Sequence, residues 1–220
     1  MRRWAVLLLA VCMVGLCGCV AEQENQAVFP AWEDQLRTLV EAGQDDYLNA
    51  LTAEEAQEAL LLRAVYPGSY TAPDAQELLC RFSVSGVPHV GGLDRTILLL
   101  TDQSGSKSMG QITLIGDNIA VILLEDMEGR SYPLFLGVMG NQGIYTYYVE
   151  MYEATAAGFV SLPALVNLPQ DGNLSYSYMA GGMLQVSVML PTEFPGTSPE
   201  YQSVGIWQWD AEELCFKARS

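Results

Sequence analysis

The spacing of apolar positions changes three times along the chain. Residues 4–16 form an unbroken apolar run behind Arg2 and Arg3. Residues 20–27 are polar, with two glutamates, two glutamines and an asparagine. Trp32, Leu36, Leu39 and Val40 then fall at i, i+4, i+7 and i+8, the spacing of one helical face. Pro30 suits the first turn of that helix and Gly43 its end. Thr52 and Glu55 have the spacing of a capping box and predict the start of a second helix. Ala56, Ala59, Leu60 and Ala64 carry this helix to Tyr66, before Pro67-Gly68. The two helices are expected to pack on the rest of the chain through Leu36, Leu39, Leu48, Leu51, Leu60 and Leu61.

From about residue 77 the period shortens to two. Residues 79–84 alternate, residues 96–101 read as a fully buried strand, and residues 111–115 and 118–125 flank Gly116-Asp117, a hairpin signal. Further strands are expected at residues 132–138, 144–152, 174–179, 183–190, 203–209 and 214–217, with glycine-rich turns between several of them. The chain is therefore expected to be mainly β, of the α+β class. A two-helix lead over residues 30–67 precedes an antiparallel β domain over residues 76–220, propeller-like or a sandwich or barrel.

Charge narrows the choice of partner. With 26 acidic residues against 10 basic ones the net charge is −16, which argues against nucleic acid and against direct contact with an anionic lipid surface. Two of those ten basic residues are Arg2 and Arg3, which precede every acidic residue; without them the balance is 8 against 26, or −18. Together with the apolar run, too short to span a bilayer, they lead into Leu16-Cys17-Gly18-Cys19. This segment resembles the lipobox signal peptide of bacterial lipoproteins. The resemblance implies removal of residues 1–18, lipidation of Cys19, a polar spacer over residues 19–29, and attachment to a bilayer at the extracytoplasmic face of the cell membrane. Cys17 departs from the commoner alanine or serine at its position. Under that reading two thiols remain, Cys80 and Cys215, and a pair outside the cytoplasm is a candidate disulfide. They fall in the first and last strands expected of the β domain, which a closed β architecture would bring together.

An internal echo runs through the second half. Residues 148–152 lead through a turn to Gly158-Phe159, Tyr176-Ser177-Tyr178 through Gly181-Gly182 to Leu184, and Trp207-Gln208-Trp209 through Glu212-Glu213 to Leu214. Each unit is an aromatic strand, a tight turn and an apolar strand. Such hairpins resemble the outer strands of degenerate β-propeller blades, without the aspartate-rich calcium loops common there.

Candidate chemistry is sparse. His89, the one histidine, sits in a proline- and glycine-bounded loop and cannot build a metal site alone. Ser104 and Lys107 match a spacing found in penicillin-recognising enzymes, but on a Gly-Ser loop rather than a helix. The carboxylates are too many for a catalytic pair to stand out, and Glu125-Asp126 and Glu212-Glu213 read as turn residues. No catalytic residue, metal or cofactor is predicted. The aromatic pairs Tyr145 and Tyr147, Tyr176 and Tyr178, and Trp207 and Trp209 each share a strand face. Exposed, they would stack on a sugar or peptide; buried, they are core. The expectation is a membrane-anchored, non-catalytic binding module for an extracellular ligand or protein. The alternatives are an Asp/Glu-dependent hydrolase of a cell-surface or extracellular substrate, and a structural or assembly-accessory lipoprotein.

Overall fold

A computed structural model describes residues 33–41, 48, 51–84, 95–141, 144–169, 173–190 and 200–219. Cys19, the leader and spacer, Trp32 and His89 lie outside the described residues.

The predicted first helix is α1 (Glu33–Glu41), with Leu36 and Val40 buried. The second is α2 (Ala53–Ala59), and its capping box is formed: the Glu55 amide donates to the Thr52 hydroxyl, and the Thr52 amide to the Glu55 carboxylate at 2.9 Å. This helix is shorter than expected. At Leu60 the chain becomes β1 (Leu60–Gly68), and the β domain therefore begins at Leu60 rather than near residue 76. A leucine-rich run suits either period. Here β2 (Glu77–Val84) decides, because it pairs with β1 from Leu60↔Val84 to Gly68↔Glu77 around a bulge between Leu62 and Ala64. The connection between them is pinned by Glu77, whose buried carboxylate accepts the amides of Tyr70 and Thr71 at 2.7 and 2.9 Å.

The remaining strands are β3 (Arg95–Asp102), β4 (Ser108–Ile115), β5 (Asp117–Glu125), β6 (Ser131–Asn141), β7 (Ile144–Thr155), β8 (Gly158–Ser161), β9 (Leu174–Met179), β10 (Met183–Leu190), β11 (Glu200–Asp210) and β12 (Cys215–Ala218). They form three four-stranded antiparallel sheets. Sheet one is β1-β2-β3-β4, sheet two β5-β6-β7-β8, and sheet three has β9 to β12 in the same sequential order. Each sheet is thus a local meander, and the first strands start at equal intervals, at Leu60, Asp117 and Leu174. The described strands close no barrel.

Alternation along the strands sets the layers. One face of sheet one, with Cys80, Phe82, Val84, Ile97 and Leu99, is covered by Leu36, Val40, Leu48, Ala56 and Ala59 of the helical lead. Its other face, with Leu79, Leu98, Leu100 and Leu114, meets Ile119, Val121, Phe135 and Ala154 of sheet two. The far face of sheet two, with Leu124, Leu134, Leu136, Val149 and Met151, meets Tyr176, Leu184, Val186, Trp207, Trp209 and Phe216 of sheet three. The order is helices, sheet one, sheet two, sheet three. Polar contacts reinforce the seam between sheets one and two. Arg130 donates to the Tyr70 carbonyl at 2.8 Å and pairs with Glu153 at 2.7 Å, its guanidinium lying over the Tyr132 ring.

The hairpin expected at Gly116-Asp117 does not form. β4 pairs with β3 and β5 with β6, so the chain crosses here from sheet one to sheet two. Apolar side chains rather than backbone bonds join the two strands: Leu114 and Val121 share one cluster between the sheets. Gly116 is required by a close approach, since a Cβ there would lie 2.6 Å from the Tyr148 hydroxyl oxygen. The three echoed hairpins do form, as β7–β8, β9–β10 and β11–β12. They are not equivalent. Two close a sheet and the third opens one.

Candidate binding cleft

The aromatic residues expected at a surface are mostly structural. Tyr176, Trp207 and Trp209 are buried between sheets two and three. Each spends its polar atom on a backbone carbonyl: the Tyr176 hydroxyl on Pro169 at 2.8 Å, the Trp207 indole on Asn167 at 3.0 Å, and the Trp209 indole on Glu125 at 2.7 Å. Tyr178 packs against the same cluster and accepts the Gly182 amide at 3.2 Å. The pairs share faces as the strand period requires, but for the tryptophans and for Tyr176 and Tyr178 that face is the inner one. A large ring with one polar atom gains more from burial, once that atom is satisfied, than from solvent. Tyr147 packs partly on this core, and its hydroxyl meets that of Tyr201 at 2.8 Å, the rings edge to face. The backbone of Tyr145 belongs to β7, while its side chain lies outside the described residues.

Cys80 and Cys215 are free thiols. Cys80 is buried under the helices on sheet one, and Cys215 sits half-buried on sheet three, with sheet two between. The expected proximity fails because the first and last sheets are not neighbours: among the described strands pairing stays within each sequential meander, and no ladder joins the first sheet to the last. Burial pushes the Cys80 thiol up to about 12, against a lowering hydrogen bond from Thr101.

Ser104 and Lys107 belong to the β3–β4 turn, where Asp102 gathers the loop. Its carboxylate accepts the Ser104 hydroxyl at 2.7 Å and the amides of Ser106 and Lys107 at 2.8 and 3.0 Å. The Ser104 bond foremost, with those amides and the Ser106 hydroxyl, holds Asp102 down at about 2. Asp126 and Asp210 brace two other turns in the same way, accepting the amides of Glu128 and Arg130 and of Glu212 and Glu213. Of these three braces, Asp126 was expected in a turn, while Asp102 and Asp210 were not singled out in the sequence.

A cleft of about 600 Å³ opens beside β7. Residues 146–152 form one wall, and Ser161, Leu162, Pro163, Leu165, Val166 and Tyr176 the other. Seven consecutive residues of a strand line a cavity only when the edge of the strand faces it, since alternate side chains point to opposite sides. The cause is a mismatch in length. β7 runs from Ile144 to Thr155, but β8 pairs with it only at residues 152–155. The last bond along that edge runs from the Leu162 amide to the Met151 carbonyl at 2.9 Å. The chain then turns into a short 3-10 helix at Pro163–Leu165, whose first residue has no amide to donate. Ahead of Tyr152, β6 is the one described strand paired with β7.

The cleft has two chemically different sides. Val149 and Met151 face sheet three together with Leu162 and Leu165. On the other face Glu150 accepts the Tyr152 hydroxyl at 2.8 Å. Burial first, then the bond to Glu150 and its charge, push the Tyr152 phenol far above its ordinary value, so it stays a neutral donor. Among the described residues no three His, Cys, Asp or Glu side chains gather as a metal site, and no helix is long and apolar enough to cross a membrane. Sequence reasoning missed Glu150, Leu162, Leu165 and Val166. The available signal was a long aromatic strand followed by a very short one that ends before Pro163.

Comparison with known proteins adds no relative: no family model, curated protein or solved structure matches the chain.

Proposed function

We propose that this chain is a lipoprotein held by acylated Cys19 at the extracytoplasmic face of the cell membrane, where its stack of sheets serves as a binding module. The observation that carries the reading is the leader: Arg2-Arg3, a short apolar run, then Leu16-Cys17-Gly18-Cys19. Two or more acyl chains hold a soluble domain at a bilayer without a spanning helix, since each buried methylene contributes about 0.8 kcal/mol. Without Arg2 and Arg3 the domain carries 8 basic against 26 acidic residues, a net charge of −18, which disfavours an anionic headgroup surface and nucleic acid as direct partners. The cleft beside β7 supplies a place for a ligand, with an apolar side and one carboxylate, Glu150. Glycoside hydrolysis would need two carboxylates across such a cleft.

The test is fractionation of cells making the full chain. The wild type should label with fatty acid and sediment with membranes. Cys19→Ala should lose the label and either leave the membrane or stall with its leader attached. A Cys19→Ala protein that still labels and sediments as before would remove the anchor from the reading.

A further inference from the structure

We infer that the cleft beside β7 takes an extended segment of a partner polypeptide, which adds as a strand to the β7 edge and carries apolar and basic residues in alternation. The inference rests on the binding-module reading and names its partner class. Backbone geometry supplies the first argument. In an antiparallel ladder, residues two apart direct their N–H and C=O to the same edge. Met151 directs its carbonyl to the cleft edge, where it accepts the Leu162 amide, so Val149 directs both its groups there as well. An incoming strand therefore continues the ladder where β8 and Leu162 leave it, the mode by which sheet edges commonly recognise extended peptides.

The walls set the side chains. Alternate residues of a bound strand point to opposite sides. One set meets Leu162 and Leu165 beside Val149 and Met151, and this set is apolar. The other meets the Glu150 carboxylate on a chain of net charge −16, and this set is basic. Val166, 77% exposed at the mouth of the cleft, is an apolar contact at the rim.

The experiment uses the full chain in detergent micelles. The probe is a short fluorescent peptide of alternating valine and lysine, followed by anisotropy. Two control peptides accompany it, one with glutamate for every lysine and one N-methylated at the amides that would pair with β7. The valine–lysine peptide should bind and the glutamate peptide should not. N-methylation, which removes backbone donors, should weaken binding roughly tenfold. Glu150→Gln should weaken it about two- to fivefold, as expected of a partly exposed ion pair, with an unchanged melting temperature. Val166→Lys should weaken it as well.

Equal binding of the methylated and unmethylated peptides overturns strand addition, and so does binding untouched by both substitutions. Failure of the valine–lysine peptide to bind overturns the inference outright. A dimer in sedimentation that dissolves on Val166→Lys would make a second copy the occupant and overturn it too. A photo-cross-linking residue placed in cells at Val166 or at Ser177, on sheet three, separates this failure from that of the wider reading. Partners captured from Ser177 alone sink the cleft and leave a binding module. None captured from either position removes both.

Discussion

Sheets two and three share one topology, a four-strand meander, and differ in what covers them. Sheet two lies between two other sheets. Along β6 every residue from 131 to 137 is buried, on both faces. Among the described residues, sheet three is covered on one face. Along β10, Leu184 and Val186 are buried while Met183, Gln185 and Ser187 between them are half-buried, and no described apolar cluster forms on their side. The sequences follow. Sheet two carries near-continuous apolar runs such as residues 119–124, and sheet three alternates. A strand's pattern thus reports how many of its faces are covered, and the same fold unit reads differently in the middle of a stack and at its end. Sheet one is the third case: it would be an end sheet, and the helical lead makes it an interior one.

The contrast can be broken most directly in the middle. Phe135 is wholly buried between sheets one and two, its ring 5.7 Å from that of Tyr152. Phe135→Ala should lower the unfolding free energy in urea by about 3–5 kcal/mol. A loss under 1 kcal/mol would mean that the interior sheet is not packed as described.

Gly116→Ala tests the crossover that feeds this sheet. The added methyl meets Tyr148, and overpacking of this kind costs about 1–3 kcal/mol. Gly116→Ala combined with Tyr148→Phe should recover part of that loss in the same urea titration, since the nearest atom is the hydroxyl oxygen. No recovery would place the strain elsewhere.

The two thiols sharpen the comparison between a sheet covered on both faces and one covered, among the described residues, on a single face. Cys80 lies under the helices, and its thiol is displaced up to about 12, so its folded pKa is above the ordinary value of 9.0. The neutral form is the one that burial favours. Its contribution to stability is present below pH 9 and is lost as pH rises toward 12. Peptide mapping after iodoacetamide treatment at pH 8 should find Cys215 modified and Cys80 protected until the protein unfolds. Rapid modification of Cys80 in the folded protein would show that the helical lead does not cover sheet one.

The smallest effect belongs to the other end of the stack. Gln185→Thr, on the half-buried face of sheet three, should change stability by no more than about 0.5 kcal/mol in thermal unfolding. A loss of several kcal/mol would reveal a partner layer on that face.

Much was legible in the chain because it is local. The capping box of Thr52 and Glu55, the strands Leu174–Met179 and Met183–Leu190, the three echoed hairpins and the turn residues Glu125-Asp126 and Glu212-Glu213 all depend on residues a few positions apart. Their physics is complete within a short window: one cap, one period, one turn. The elements that failed depend on what lies across the fold. Leu60 to Tyr66 had helical spacing, and the pairing of β1 with β2 overrode it. Gly116-Asp117 had hairpin chemistry, and the packing of Leu114 against the strand beyond made it a passage between layers. The tryptophans had the right face, but only the stacking of sheet three on sheet two decided that this face was interior. Cys215 does fall in the last strand, but Cys80 falls in the second, β2, rather than the first, and the two lie at opposite ends of a stack that does not close. The cleft was the least legible. It arises from a difference in length between β7 and β8 and from the turn at Pro163, and no single residue in it carries an unusual chemistry. Periodicity fixes which side of a strand is apolar; which side is covered, and which edge is left open, is set only when the sheets meet.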